Sequence, residues 1–310
     1  MSTSGQYNGI HYFGDADSTP SIPATPINAM FLTSVRDTGT CDRNGSMVET
    51  GEGLCYMEGT IERTVKETRA GGTLDGILRI VAVVTDDLEK DMRGSAYPAR
   101  PHPGKPWIHG HDLRNADGAL MADAETTFWI PSDFRALPRW DTDTRTERKL
   151  AFESKVAKLM EEKQADILIS DHYMARIAFL MNDTFHKFGR ILNIHPAVTV
   201  EGHPHCFRGK TPTQDAIDRA RSGKLTLTGA TLHLVDEIID HGPPLAFIAQ
   251  TPVCPFDEPQ YLRYRNYQQG KLPLFIAGMR HYAERIYPHL NRINLKALSP
   301  LDHVPSPDPR

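Results

Sequence analysis

A chain of 310 residues, 39% hydrophobic and 24% charged, has the composition of a globular protein with an ample core in one large or two modest domains. A net charge of -4 without a long basic run argues against a nucleic-acid surface, and no apolar stretch approaches the roughly 20 residues needed to cross a bilayer. The amino terminus has no basic-then-apolar leader and the four cysteines form no C-x-x-C pair, so a reduced, cytoplasmic protein is expected.

Residues 1–26 are rich in Gly, Ser, Thr, Pro and Asp without any period, and read as a flexible tail, loose or draped on the body. Ile27 to Val35 is the first strong strand, followed by a long polar loop to about Glu58. Gly59-Thr60 opens a helix with Ile61 and Val65 on one face, and Gly71-Gly72 ends it. Ile77 to Val84 is a second buried strand. Residues 88–143 carry Pro98, Pro101, Pro103 and Pro106, which exclude a long helix, and Thr126 to Pro131 reads as a third strand. A helix over Thr144 to Lys163, a buried strand over Asp166 to Ser170 and a helix over Met174 to Phe185 follow.

Ile191 to His195 is a strand closed by Pro196, and Thr211-Pro212 starts a helix that runs to Arg221, with threonine as N-cap and proline at the first helical position. Strands are expected at Leu225 to Val235 and Leu245 to Gln250, then two helices near 257–269 and 272–289 and a Pro-rich tail. The alternation predicts an α/β fold: a mostly parallel, Rossmann-like sheet over 27–250 with helices on both faces, and a helical extension over 251–310. His203-Pro204-His205-Cys206 and His109-Gly110-His111 are loops made by proline and glycine, and a tetrahedral site needs three or four ligands with a second shell, so no metal is expected.

Asn193 and His195 stand two apart at the end of a strand, hence on one face at the sheet's carboxyl edge, where open α/β sheets bind ligands. The amide can hold a developing oxyanion and the imidazole can move a proton near neutral pH. Asp240 lies in the loop after the strand that carries His233; a carboxylate there can orient an imidazole or collect a proton from an attacking amine. Asn, His and Asp together suit transfer of an acyl-like group to nitrogen.

Arg190 to Pro196 (RILNIHP) and Gly229 to Gly242 (GATLHLVDEIIDHG) resemble the 10-formyltetrahydrofolate-dependent formyltransferases, whose hallmark is Asn-x-His-Pro followed by G-x-T/S-x-H-x-V and an Asp before a Gly. Asp166 to Ile177, Phe207 to Pro212 and Ile286-Tyr287-Pro288 resemble flanking motifs of the same group. The resemblance implies a catalytic triad of Asn193, His195 and Asp240, with 10-formyltetrahydrofolate as formyl donor. It places the pterin against the loop Val235, Asp236, Glu237, Ile238, Ile239 to Asp240 and against the turn holding Met174, Arg176 and Ile177.

Where phosphate-binding members of the group carry a short Gly-rich loop, this chain has Ser34 to Gly45 (SVRDTGTCDRNG) and a further insertion. That loop and the E-G-T-I-E-R helix start look like the hydroxyornithine formyltransferases of siderophore assembly, which implies N5-hydroxyornithine as a small amine acceptor. A nucleotide-linked amino sugar and a non-catalytic folate-binding module are the alternatives. An amino-acid acceptor needs a partner for its α-carboxylate. Arg36 or Arg280 is expected to provide one, with Asp37 near the ammonium; otherwise both arginines form surface salt bridges. No nucleic-acid or membrane partner is expected, and the oligomeric state is left open.

Overall fold

The computed structural model describes residues 9–14, 20–34, 46–50, 53–88, 113–114, 120–122, 127–173, 175–181, 189–224 and 227–290. In chain order these form β1 (Ile10–Tyr12), β2 (Ile27–Thr33), β3 (Ser46–Thr50), β4 (Gly53–Met57), α1 (Thr60–Glu67), β5 (Leu78–Thr85), β6 (Leu113–Arg114), β7 (Leu120–Ala122) and β8 (Thr127–Trp129). The second half adds α2 (Thr142–Glu162), β9 (Ile167–Asp171), β10 (Ile191–His195), α3 (Pro212–Arg221), β11 (Leu227–Leu234), β12 (Pro244–Pro252), α4 (Pro259–Asn266) and α5 (Leu272–His281).

The main sheet has the order β1-β12-β11-β10-β9-β2-β5-β8. From β10 through β9, β2 and β5 to β8 the pairings are parallel, and β11, β12 and β1 continue antiparallel. The chain builds outward from β2 to β5 and β8, then returns through α2 to place β9 on the other side of β2. The topological switch therefore falls between β2 and β9, and the crevice of such a sheet opens beyond their carboxyl ends.

Strand alternation decides the two cores. Ala29 and Phe31 of β2, Ile167 and Ile169 of β9, and Leu192 and Ile194 of β10 face α1 and α5, packing on Ile61, Phe275 and Met279. Met30, Leu32, Leu168 and Ile191 face the other way, onto Phe152, Val156 and Met160 of α2. Asp141 caps α2, its side chain accepting the Thr144 amide at 3.3 Å. Gly278 lets α5 approach β11; a Cβ there would meet the Leu232 side chain at 2.7 Å.

Several expectations change. The tail supplies an edge strand, because Ile10–Tyr12 pairs with β12 and buries Ile10. The polar loop before Glu58 contains the β3–β4 hairpin, whose Val48 and Met57 pack against Tyr267 and Leu272. The irregular region holds the short β6–β7 hairpin. The helix expected at Met174 to Phe185 is reduced, among the described residues, to one tight turn at Phe179–Met181. There the buried carboxylate of Glu153 accepts the amides of Ala178, Phe179 and Leu180, with the Phe179 bond at 2.6 Å, and α2 thereby holds the loop. Thr211 occupies the N-cap of α3 without capping it, its hydroxyl donating to Asp215 instead.

The two carboxyl-terminal helices form one continuous rod from Pro259 to His289, with π turns at Tyr267–Lys271 and Tyr282–Ile286. Pro273 has no N–H for the Gln269 carbonyl, and the Gln250 side chain donates to that oxygen at 2.7 Å.

Candidate active site

The site lies toward the carboxyl ends of the parallel strands β9 and β10, beside the antiparallel strand β11. Asn193 stands opposite His233 of antiparallel β11 and opposite Ser170 of parallel β9, so register brings three polar side chains to one level. Asn193 Nδ2 lies 3.1 Å from His233 Nε2, while His233 Nδ1 lies 2.8 Å from the Leu234 carbonyl. A carbonyl only accepts, so His233 carries its proton on Nδ1 and takes one Asn193 amide hydrogen on Nε2. The second hydrogen of that amide remains for a ligand.

Asp240 completes the group from the loop after β11. Its Oδ1 lies 3.4 Å from His195 Nδ1 and 3.8 Å from His233 Nε2, and its Oδ2 accepts the Gly209 amide at 3.0 Å. The residue adopts φ +59°, a left-handed conformation that costs a non-glycine residue energy and persists where surroundings over-determine it. Gly242 permits this loop to fold back on β11; a Cβ there would sit 1.8 Å from the Leu234 carbonyl oxygen. The turn after His195 is fixed from the other side. Thr231 donates to the Ala197 carbonyl and accepts the Thr199 amide, and Asn266 of α4 donates to the carbonyls of Pro196 and Gly229 at 2.9 and 2.8 Å.

Burial and charge set the protonation states. Burial raises the Asp240 carboxyl's pKa, but the His195 hydrogen bond and the nearby imidazoles outweigh it and hold the group down to about 2. Burial dominates at His233, lowering it to about 4 despite the Asp240 charge. An unfolded histidine titrates near 6.5, so as pH falls from about 6.5 to about 4 the unfolded chain takes up a proton that folded His233 refuses. Stability is present above this window and declines through it, by roughly 3 kcal/mol from this group. Asp240 adds a smaller loss below the ordinary aspartate range near pH 4, as the unfolded carboxyl protonates first. The drop in urea unfolding midpoint from pH 7 to pH 5 should therefore be smaller in His233→Gln than in the native chain. Equal pH dependence in both proteins would refute the assignment.

His195 Nε2 is buried and has no hydrogen-bond partner among the described residues. An orphaned polar atom of this kind is costly in a resting protein and is explained when a ligand supplies its partner. A cleft opens against the neighbours of this imidazole, with Asn193, His233 and Asp240 at one side and Tyr173, Ile177, Val235, Ile238 and Ile239 as apolar walls. Ile238 and Ile239 are about half exposed at its rim. A flat aromatic ligand fits between such walls, and the arrangement can stabilise an oxyanion and accept a proton at the same carbon centre.

The structure brings Asn193, His195 and Asp240 together, and Arg176, Ile177, Val235, Asp236, Ile238 and Ile239 line the same cleft. Glu237 is exposed outside that lining, its amide donating to the Asp236 side chain. Met174, Arg36 and Asp37 lie outside the described residues. Arg280 is not brought to the site: it pairs with Glu284 at 2.8 Å on the surface, and two residues on the Tyr282 hydroxyl meets the Gly189 carbonyl at the amino end of β10. That end of α5 lies toward the amino edge of the sheet, away from Asn193, so Arg280 is not placed to grip an acceptor's carboxylate at this cleft. His233 and Glu153 are the site residues that sequence reasoning missed. His233 stood inside the G-x-T-x-H pattern, but its partnership with Asn193 depends on strand register. Among the described residues, no group of three or more His, Cys, Asp or Glu side chains is placed to hold a metal ion.

A Rossmann-like sheet with this cluster at its carboxyl edge suits group transfer, and residues 60–275 match the formyl transferase family, to which this chain belongs. It is a formyltransferase. A solved structure described as PvdF of pyoverdin biosynthesis, an N10-formyltetrahydrofolate-dependent formyltransferase, is 26% identical; the match covers 83% of this chain and 100% of that one, with a TM-score of 0.69. Phosphoribosylglycinamide formyltransferase of Schizosaccharomyces pombe is 25% identical over 150 residues, 47% of this chain and 69% of that protein. Glycinamide ribonucleotide transformylase 1 of Symbiobacterium toebii shares the fold at 18% identity and a TM-score of 0.50, over 84% of this chain and 89% of that one. No helix among the described residues is long and apolar enough to cross a membrane.

Proposed function

We propose that this formyltransferase moves the formyl group of 10-formyltetrahydrofolate to the side-chain hydroxylamine nitrogen of N5-hydroxyornithine, a step of siderophore assembly. The orphaned, buried His195 Nε2, two residues from Asn193 and 3.4 Å from Asp240 through its Nδ1, carries the chemical part of this reading. The likeness to PvdF supports the acceptor. The Ser34 to Gly45 segment, in place of a short Gly-rich phosphate loop, points the same way.

The apolar walls of the cleft at Asn193 and Asp240 suit a pterin, and a bound folate would supply an activated formyl carbon on N10. Transfer forms a bond from the acceptor nitrogen to that carbon, breaks the carbon–N10 bond, and moves one proton from the acceptor to N10. Asn193 Nδ2 donates to the formyl oxygen as negative charge develops there, and His233 holds the amide in that orientation. His195 Nε2 donates to the same oxygen when the ring is protonated, and Asp240 stabilises that charge from the Nδ1 side at 3.4 Å. Asp240, ionised at any physiological pH, receives the acceptor's proton.

The test sets one donor, 10-formyltetrahydrofolate, against three acceptors: N5-hydroxyornithine, glycinamide ribonucleotide and a nucleotide-linked amino sugar. The expected kcat/KM favours hydroxyornithine by at least about a hundredfold, since a site built for one set of polar groups rejects acceptors that leave them unpaired. A preference for either phosphorylated acceptor would overturn the acceptor assignment.

A further inference from the structure

Among the described residues, three that are not glycine adopt a left-handed backbone: Gln164, His172 and Asp240. Gln164 closes the carboxyl end of α2, where such a conformation is routine. Asp240 belongs to the catalytic cluster. His172, at φ +63°, directly follows β9 at the same edge of the sheet, and the chemistry described above does not use it. Backbone strain of this kind gathers at ligand sites.

A buried polar network holds the strained residue. Lys271 Nζ lies 2.8 Å from Asp171 Oδ1 and 2.9 Å from the Tyr267 hydroxyl, which lies 2.7 Å from His172 Nε2. An ammonium only donates, so the tyrosine oxygen accepts from Lys271 and donates its own proton to His172 Nε2. The ammonium itself stands 3.5 Å from that nitrogen, which also calls for a lone pair there. His172 therefore carries its proton on Nδ1, and that atom is the donor of the ring. The imidazole is 9% exposed, whereas Asp171 is sealed.

Tyr267 and Lys271 bound the first π turn of the carboxyl-terminal rod, and π turns recur at functional sites. The preceding residue, Asn266, donates to the Pro196 carbonyl at 2.9 Å. One turn of the rod thus fixes the chain just beyond β9 through Tyr267 and just beyond β10 through Asn266. Ser170 pairs with Asn193, so His172 and His195 each stand two residues past one level of neighbouring strands. Asp171 continues the face of Ile167 and Ile169, toward α1 and the rod, while the cleft walls Tyr173 and Ile177 pack with α2. A formyl carbon whose folate lies on the α2 side is open to attack from the side of His172.

We propose that His172 is a specificity-determining residue for the acceptor, its Nδ1–H donating to the hydroxylamine oxygen, with Tyr267 and Lys271 as positioning residues that fix the tautomer and angle of the ring. The inference rests on the hydroxyornithine reading above. That oxygen is one bond from the attacking nitrogen, and an ordinary amine has no atom there to accept the bond. A site that presents a donor to a substrate oxygen rejects the analogue that lacks it.

The experiment compares kcat/KM for N5-hydroxyornithine and for ornithine, with 10-formyltetrahydrofolate as donor, in the native enzyme, His172→Gly and Tyr267→Phe. Glycine adopts a positive φ without strain, so the first variant removes the ring and leaves the backbone at ease. The second removes one hydroxyl, and urea midpoints at pH 7 report whether each variant folds. The preference for hydroxyornithine should fall about tenfold in His172→Gly, chiefly through KM, and by about threefold or more in Tyr267→Phe. Turnover of ornithine and the Kd of tetrahydrofolate should stay within about twofold of native. A preference that survives in both variants, or a loss shared equally by the two acceptors, would overturn the role of His172; if His172→Gly does not fold, Tyr267→Phe decides by the same ratio. A native enzyme that formylates a phosphorylated acceptor and not hydroxyornithine would overturn the acceptor reading, and this inference with it.

Discussion

Asn193→Ala should lower kcat by about a hundredfold or more while leaving the folate KM within a few-fold, the pattern of a group that acts chiefly in the transition state. The geometry behind this is specific. One hydrogen of the Asn193 amide is spent on His233 Nε2 at 3.1 Å, so the other is pre-aimed and needs no reorganisation when charge develops. Asp240→Asn should cost at least as much, because it removes the carboxylate beside His195 Nδ1 at 3.4 Å and with it the acceptor for the amine proton. The two losses should not add in the double variant, since the residues serve one charge distribution. Steady-state kinetics with folate donor and hydroxyornithine measure all three. Turnover near that of the native enzyme in both single variants would end the mechanism.

Lys271→Met should destabilise the fold by about 3–5 kcal/mol, the cost of removing one member of a buried ion pair, with His172 still 3.6 Å from the Asp171 carboxylate. Lys271 is 1% exposed and its ammonium lies 2.8 Å from Asp171 Oδ1, itself fully buried at the carboxyl end of β9. The ammonium also donates to the Tyr267 hydroxyl at 2.9 Å, and that hydroxyl meets His172 Nε2 at 2.7 Å. The network ties the π turn of the carboxyl-terminal rod to the strand beside Asn193. In Asp171→Asn/Lys271→Met both charges are gone, and a substantial part of the stability should return. Urea denaturation at pH 7 reads the effect. A loss below about 1 kcal/mol in the single variant would mean that water or another group compensates the Asp171 charge.

The legible part of this protein was the part written in local chemistry. The apolar runs at Ile27–Thr33, Leu78–Thr85, Ile167–Asp171 and Ile191–His195 became the parallel half of the sheet, because side chains buried on both faces need no polar alternation. Pro196 ended its strand and left Asn193 and His195 at the edge. Pro212 opened α3, and Ser222-Gly223 closed it. The formyltransferase family could be recognised because its two motifs keep catalytic residue types at short, fixed separations.

What the sequence by itself determined, then, is each segment's conformational preference and the presence of an amide, an imidazole and a carboxylate able to meet. Tertiary structure decided the rest, through contacts between residues far apart in the chain. Register between β10 and β11 chose His233 as the partner of Asn193, and a slip of one residue would have turned it to the other face. The Glu153 carboxylate, 25 residues from Ala178, took amides that a local pattern assigned to a helix. Ile10–Tyr12 became a strand only because β12 left an edge to pair with. Arg280 had the chemistry of a carboxylate grip but lay on the wrong end of α5. A pattern of period 3.6 or 2 says which face a residue occupies, and only packing says which edge of the sheet that face will meet.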